Sequence, residues 1–318
     1  MPTTHPDLAY AICARLQESS TTAALLHPLP PKGSGLPVTD VDLVLSRRPT
    51  QPVIEEFARD VLAPLGLTAI LGWPYDHDAV AIFATDSTAR CGVHLDLVHD
   101  MRGCGKLGVR YARFLEGPLL ATGHGGTTVG DLDQRLYLLR KRHWKQQRTE
   151  LAGVRAEAHA TRSALLARAS EVLVPAAQRD VTALLADAEV VPRFSRTLQS
   201  RAVTAARLTR RLLDPIGSWV HLQEGDRDLA TLVATRFGNT LVHSRAIDLT
   251  TSSAALRARV WLREIAPIRW RPGLAVSFGP PVTSHPRPDL TLGAARLGVE
   301  DASGEIVRWL SCRFRMCS

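Results

Sequence analysis

The chain has 318 residues, 45% hydrophobic and 22% charged, which excludes a disordered polypeptide and leaves room for two compact units, or for one with a sizeable helical extension. No apolar run approaches the roughly 20 residues that cross a bilayer, and the start MPTTHPDLAYAICARL lacks the basic, apolar and cleavage regions of a secretory leader, so a soluble cytoplasmic protein is expected. The net charge of +8 invites a polyanion; no nucleic-acid module accompanies it, so nucleotide phosphates suit the charge better than nucleic acid, and a GC-rich genome also produces such Arg- and Ala-rich usage.

In chain order, His5 to Leu16 reads as a helix and Ala23 to Leu29 as a short apolar strand running into Pro30-Pro31. The small-residue turn KGSG follows, then a strand over Val41 to Leu45 that ends at Pro49 to Pro52. Ile54, Phe57, Val61 and Leu65 have helical spacing, and strands are predicted at Leu67–Leu71, Ala79–Ala84 and Val93–Val98. This alternation predicts an α/β unit with a mixed sheet over residues 1–128. The glycines of ATGHGGTTVG supply the flexible joint to the next unit.

From Asp131 the chain is rich in helix formers and free of proline until Pro175. Two more helical stretches, DVTALLADAEV and SRTLQSRAVTAARLTRRLL, complete a helical region over 129–213. Residues 214–318 are mixed again, opening with the strand-like PIGSWVHL and jointed at Pro267, Pro272, Pro280-Pro281 and Pro286–Pro288. A smaller α/β unit is expected there.

Five cysteines, Cys13, Cys91, Cys104, Cys312 and Cys317, are odd in number and lack CxxC spacing, which argues against a disulfide framework or a structural zinc knuckle. His94 and His99 flank Asp96, and His124 lies in the glycine-rich joint, but H-x-D-x-x-H is not a diagnostic metal spacing. No G-x-S-x-G elbow and no cysteine beside a base supports covalent catalysis.

The sequence KGSGLPVTDVDLVL carries the chemistry. Side chains alternate along a strand, so Asp40 and Asp42 share a face. Two adjacent carboxylates resist joint ionisation unless a cation lies between them. Magnesium fits, because it accepts one or two carboxylates together with substrate phosphates. In GVHLDLVHD, Asp96 lies on a face opposite Val93, Leu95 and Leu97 and could complete a three-carboxylate cluster. The turn at Gly33-Ser34 offers free backbone amides and a hydroxyl to a phosphate.

Gly33-Ser34, Asp40-Val41-Asp42 and Leu95-Asp96-Leu97 together resemble the DNA polymerase beta-type nucleotidyltransferase superfamily. The resemblance implies that Gly33 and Ser34 hold nucleotide phosphates and that Asp40 and Asp42 bind two Mg2+ ions. It makes Asp96 the third ligand or the general base. The implied reaction is in-line attack on the α-phosphorus of ATP or another NTP, with pyrophosphate leaving and a small-molecule hydroxyl as acceptor. Natural-product or sugar metabolism of a GC-rich bacterium is the setting this implies. Only five residues separate Ser34 from Asp40, fewer than in most members. Lys32, Arg102, Lys106 and Arg110 are candidates to neutralise phosphates. RKRHWKQQR is expected to be a solvated face with Trp144 anchored in the core; the alternative is that Lys141 or Lys145 faces the cleft and touches the nucleotide.

LTRRLLDPIGSWVHLQEGDRDLATLVATRF resembles the start of thymidylate kinase-like P-loop domains, with PRPDLTL matching a later strand. The phosphate-loop lysine is replaced by Leu229, and Gln223 and Asp228 replace two glycines. Phe278-Gly279 stands where such kinases carry Asp-Arg. The resemblance therefore implies a degenerate kinase-like unit without phosphate chemistry. The competing expectation is a non-catalytic scaffold that binds a nucleotide or a partner.

Overall fold

The computed structural model describes residues 6–19, 22–36, 38–123, 126–186, 218–238, 243–248, 273–282 and 287–313. The predicted helix SRTLQSRAVTAARLTRRLL, His124, Asp214-Pro215, Pro267, Pro272, Pro286 and Cys317 lie outside the described residues. Among those described, no helix is long and apolar enough to cross a membrane. The fold is α/β, with one mixed sheet and a second, parallel sheet.

Helix α1 (Pro6–Glu18) leads into β1 (Ala23–Leu25) and β2 (Val41–Leu45). Helix α2 (Gln51–Phe57) starts with proline in its first turn, and the chain continues through a wider π turn over Ala58–Leu62 and a tight turn over Ala63–Leu65. Gly66 then reverses the chain with φ of 69°, a left-handed conformation that costs glycine nothing. Strands β3 (Thr68–Asp76), β4 (Ala79–Thr85) and β5 (Gly92–Val98) form an antiparallel meander. The short strands β6 (Leu119–Ala121) and β7 (Thr127–Val129) complete a seven-stranded sheet in the order β3-β4-β5-β2-β1-β7-β6.

The glycine-rich stretch expected to join two units therefore belongs to the first sheet. Thr122 bonds back to the Gly126 carbonyl at 3.0 Å, closing the β6–β7 hairpin, and β7 pairs with β1. Local composition marks a turn; only the pairing partner reveals which unit owns it.

Alternation along β2 sorts its side chains between two cores. Val41, Leu43 and Leu45 pack with Ile12 of α1 and Ile54 and Phe57 of α2. Val44 and, from β5, Val98 belong to the opposite core, built with the helical region. That region comprises α3 (Asp131–Lys145), α4 (Arg148–His159), α5 (Arg162–Val172) and α6 (Pro175–Leu185). The proline-free run breaks at Gln146, which caps α3 at a positive φ of 57°, and at Leu173, which turns extended before Pro175.

The C-terminal unit holds β8 (Ser218–Gln223), α7 (Arg227–Gly238), β9 (His243–Asp248), β10 (Gly273–Gly279), β11 (Leu290–Gly293) and α8 (Val299–Cys312). Its four strands are all parallel, ordered β11-β8-β10-β9. Its core is continuous with Ile70, Ala81 and Phe83 of β3 and β4. Thus one face of the first sheet has two covers, the helical region over its centre and the C-terminal unit over β3 and β4.

Candidate metal and phosphate site

The carboxylates are brought together by strand register. Parallel pairing of β2 with β5 sets Asp42 directly beside Asp96, and Asp96 in turn faces Ala81 of β4. Asp40, just before β2, completes a group whose ligand oxygens all lie within 4.8 Å of one another. Thr39 donates its hydroxyl to Asp40 Oδ1 at 2.6 Å. This is a hard, all-oxygen donor set of the kind magnesium accepts, so the residues present fit the metal that the resemblance implies.

Asp42 is only 4% exposed, and burial alone would favour its neutral form. Three donors reverse that. His27 Nε2 lies 3.1 Å from Oδ2, the Tyr137 hydroxyl donates to the same atom at 3.2 Å, and Lys141 Nζ donates at 3.3 Å. The His27 hydrogen bond and the Lys141 charge hold the carboxyl below the usual carboxylate range. His27 itself is raised: burial lowers it, but the bond to Asp42 outweighs that.

Asp96 goes the other way. Burial is the largest cause, and the neighbouring Asp42 charge adds to it, lifting the group from 3.8 to about 6 although the facing His94 imidazole pulls the other way. His94 lies flat on Phe83, with ring centroids 4.5 Å apart and planes 10° apart, and aims Nε2 at Asp96 Oδ1 from 3.2 Å. The stacked ring fixes the imidazole as a partner of Asp96.

These groups line a cleft of about 240 Å³. Opposite the carboxylates, α3 presents Tyr137, Lys141, Trp144 and Lys145, residues spaced three and four apart that share one helix face. Lys106 enters from the loop after β5, with Nζ 5.2 Å from the Tyr75 ring centre and 5.0 Å from that of Trp144. Burial is the first cause lowering Lys145, and the Lys141 charge is the second. Tyr75, Tyr111 and Tyr137 also line the cleft, their phenols pushed well up by burial and then by nearby carboxylates.

Of the residues expected from sequence, Asp40, Asp42, Asp96, Lys106 and Lys141 meet in this cleft, and Lys145 joins them. Trp144, expected in the core of a solvated face, is 39% exposed on the cleft wall instead. Lys32, Gly33 and Ser34 form an exposed turn and are not part of the wall. There the Ser34 amide is spent on the Pro31 carbonyl at 3.0 Å, and its hydroxyl accepts from the Leu36 amide at 3.3 Å. Arg110 turns toward the helical region, donating to the Glu171 carbonyl at 3.3 Å.

Sequence reading missed His27, Tyr75, Tyr111 and Tyr137. Tyr137 had a usable signal, lying one helical turn before Lys141 on a basic helix. His27 had none, because its approach to Asp42 depends on the antiparallel β1–β2 register, which pairs Leu25 with Leu43.

In the C-terminal unit, Asp226 caps α7 with its own carboxylate, accepting the Leu229 amide at 2.7 Å. Leu229 packs against the core, and Thr231 donates to the Arg227 carbonyl at 2.8 Å. The helix N-terminus is thus satisfied by the chain itself. Compared with known proteins, the chain matches no family model, no curated protein and no solved structure.

Proposed function

We propose that the chain is a magnesium-dependent nucleotidyltransferase of the DNA polymerase beta type, moving an adenylyl group from ATP to a hydroxyl of a small molecule with release of pyrophosphate. The observation that carries this reading is the register of β2 against β5: it sets Asp42 beside Asp96, with Asp40 in reach and Lys106, Lys141 and Lys145 lining the same cleft. Carboxylates with lysines in one cleft suit a metal-bound polyphosphate better than either charge alone. Two magnesium ions, when bound, would supply Lewis-acid polarisation at the α-phosphorus and offset the charge of the leaving pyrophosphate.

The chain's own residues then have separate tasks. Asp42, held ionised, is the fixed anionic anchor. Asp96, set beside Asp42 by the strand register, is the third ligand or the group that accepts the proton of the attacking hydroxyl. Lys141 leaves Asp42 for the phosphates, and Lys106 and Lys145 draw them along the wall. The kinase-like reading of the C-terminal unit is supported by its parallel sheet, and its self-capped helix supports the loss of phosphate binding there.

The test is equilibrium binding of each NTP with and without magnesium, repeated with Asp42→Ala. The expected result is metal-dependent binding that the substitution abolishes, and an adduct of the AMP mass on an acceptor from a metabolite extract. Absence of NTP binding, or binding indifferent to both metal and Asp42, overturns the proposal. One observation favours a second reading, a non-catalytic scaffold: Lys141, His27 and Tyr137 satisfy Asp42 without any metal. Magnesium-independent nucleotide binding would select it.

A further inference from the structure

A second group of metal-binding side chains lies beside the mouth of the cleft, and none of its members belongs to the carboxylate cluster. One ligand atom each from His77, Asp100 and Cys104 lies within 4.8 Å of the others. They come from two turns: His77 from the β3–β4 connection, Asp100 and Cys104 from the loop after β5. We propose that His77, Asp100 and Cys104 form a second cation site, selective for a borderline divalent ion such as zinc.

The donor set argues for the class of ion. An imidazole nitrogen, a carboxylate oxygen and a thiolate sulfur match zinc and its neighbours, whereas magnesium takes oxygen. The carboxylate is prepared in place. Asp100 is 1% exposed, and its oxygens accept the amides of Cys104 at 3.1 Å and Gly105 at 2.7 Å. Nδ1 of His77 lies 3.1 Å from Asp100 Oδ1 and 3.6 Å from Asp78 Oδ2.

Gly105 keeps the loop close to these carboxylates. A Cβ there would meet Asp100 Oδ2 at 2.9 Å and Asp76 Oδ2 at 3.2 Å, so the loop reserves that space for carboxylate oxygens. Access is open on the other side, where Cys104 is exposed and the His77 side chain is 35% exposed. An ion bound there by three protein ligands keeps a position for water. Binding displaces the thiol proton of Cys104, and the His77 proton facing Asp100 where Nδ1 is the ligand, releasing them to solvent.

The site has a consequence for the cleft. The Lys106 amide donates to both oxygens of Asp76, at 3.3 and 3.2 Å, and Asp76, His77 and Lys106 all line the cleft. An ion tying the β3–β4 turn to the loop of Cys104 therefore fixes Lys106 at the cleft mouth. This proposal stands whether or not the carboxylate cluster transfers nucleotides.

The test uses the full chain with cobalt(II) and zinc(II) as probes. One equivalent of cobalt should give a thiolate-to-metal charge-transfer band, which zinc abolishes, and zinc should protect Cys104 from a thiol reagent. Cys104→Ser should remove the band and weaken zinc binding by about a hundredfold or more, at least the loss seen when only a supporting group is removed. His77→Ala, a second variant at a part-exposed position, should weaken it as well, while Asp42→Ala should leave both readouts unchanged. No thiolate band, no protection of Cys104, or full zinc affinity in Cys104→Ser overturns the proposal.

Discussion

Asp42 and Asp96 sit side by side on neighbouring strands, yet their titrations diverge because their partners differ. Asp42 has a lysine, an imidazole and a phenol on one oxygen; Asp96 has a stacked histidine and a neighbouring negative charge. The sign for Asp96 follows from linkage. Its proton is held more tightly in the folded state, so its stabilising contribution is complete below about 3.8 and is lost as pH rises through about 6. Asp42, held down, contributes stability above the usual carboxylate range that disappears as pH falls. Asp96→Asn is therefore expected to raise the thermal stability of the metal-free protein at pH 7–8, by on the order of 1–2 kcal/mol. It should also flatten the loss of stability between pH 4 and 7. Melting curves across that range check it, and an Asn variant that is less stable at pH 8 would contradict the account.

At the scale of elements, α3 and α7 differ in what they present: α3 turns a polar face to the cleft, and α7 caps itself. Every third or fourth residue of α3 from Tyr137 to Lys145 lines the cleft, while Leu136, Leu139 and Arg140 are buried on the other side. Arg140 anchors that side, donating to the Leu107 carbonyl at 2.8 Å and to Asp180 at 2.8 Å. Helix α7 instead places the Asp226 carboxylate at its N-terminus, where its negative charge suits the helix dipole and accepts the Leu229 amide at 2.7 Å. Asp226→Ala should cost about 1 kcal/mol of stability in urea unfolding. Neither it nor Thr231→Ala should alter NTP binding, and a weakening of more than tenfold in either variant would return the nucleotide to this unit.

For the whole molecule, one sheet face has two covers, and the cleft lies on that face between the strands and α3. The helical region closes over Val44 and Val98, the C-terminal unit over Ala81 and Phe83, and Asp96 lies in register beside Ala81. Polar contacts reinforce the second cover: Arg236 reaches the Thr88 carbonyl at 3.3 Å, and Glu300 pairs with Arg90. A shared core should make the two units unfold together. Phe237→Ala, at a fully buried position of α7, is expected to remove about 3–5 kcal/mol while leaving a single transition. A separate early transition with the rest unchanged would show that the units are energetically independent.

The alternation in Val41 to Leu45 and in Gly92 to Val98 was enough to put each aspartate on a definite strand face, since side-chain period is a local property of extended backbone. The carboxylates on β2 and β5 and the mixed α/β class were legible for that reason, and the basic face of α3 was legible from helical spacing. Register is not local. That Asp42 lies beside Asp96, that His27 arrives from β1, and that the glycine-rich stretch closes a hairpin of the first sheet all depend on which strands pair. The same holds for the exposed turn at Gly33-Ser34, where the Ser34 amide bonds the Pro31 carbonyl and neither residue lines the cleft. Residue identity determined which groups carry charge and on which face; only the packing of distant segments decided which of them meet, because the approach of His27 and then Lys141 overcomes burial at Asp42, while burial and the Asp42 charge raise Asp96.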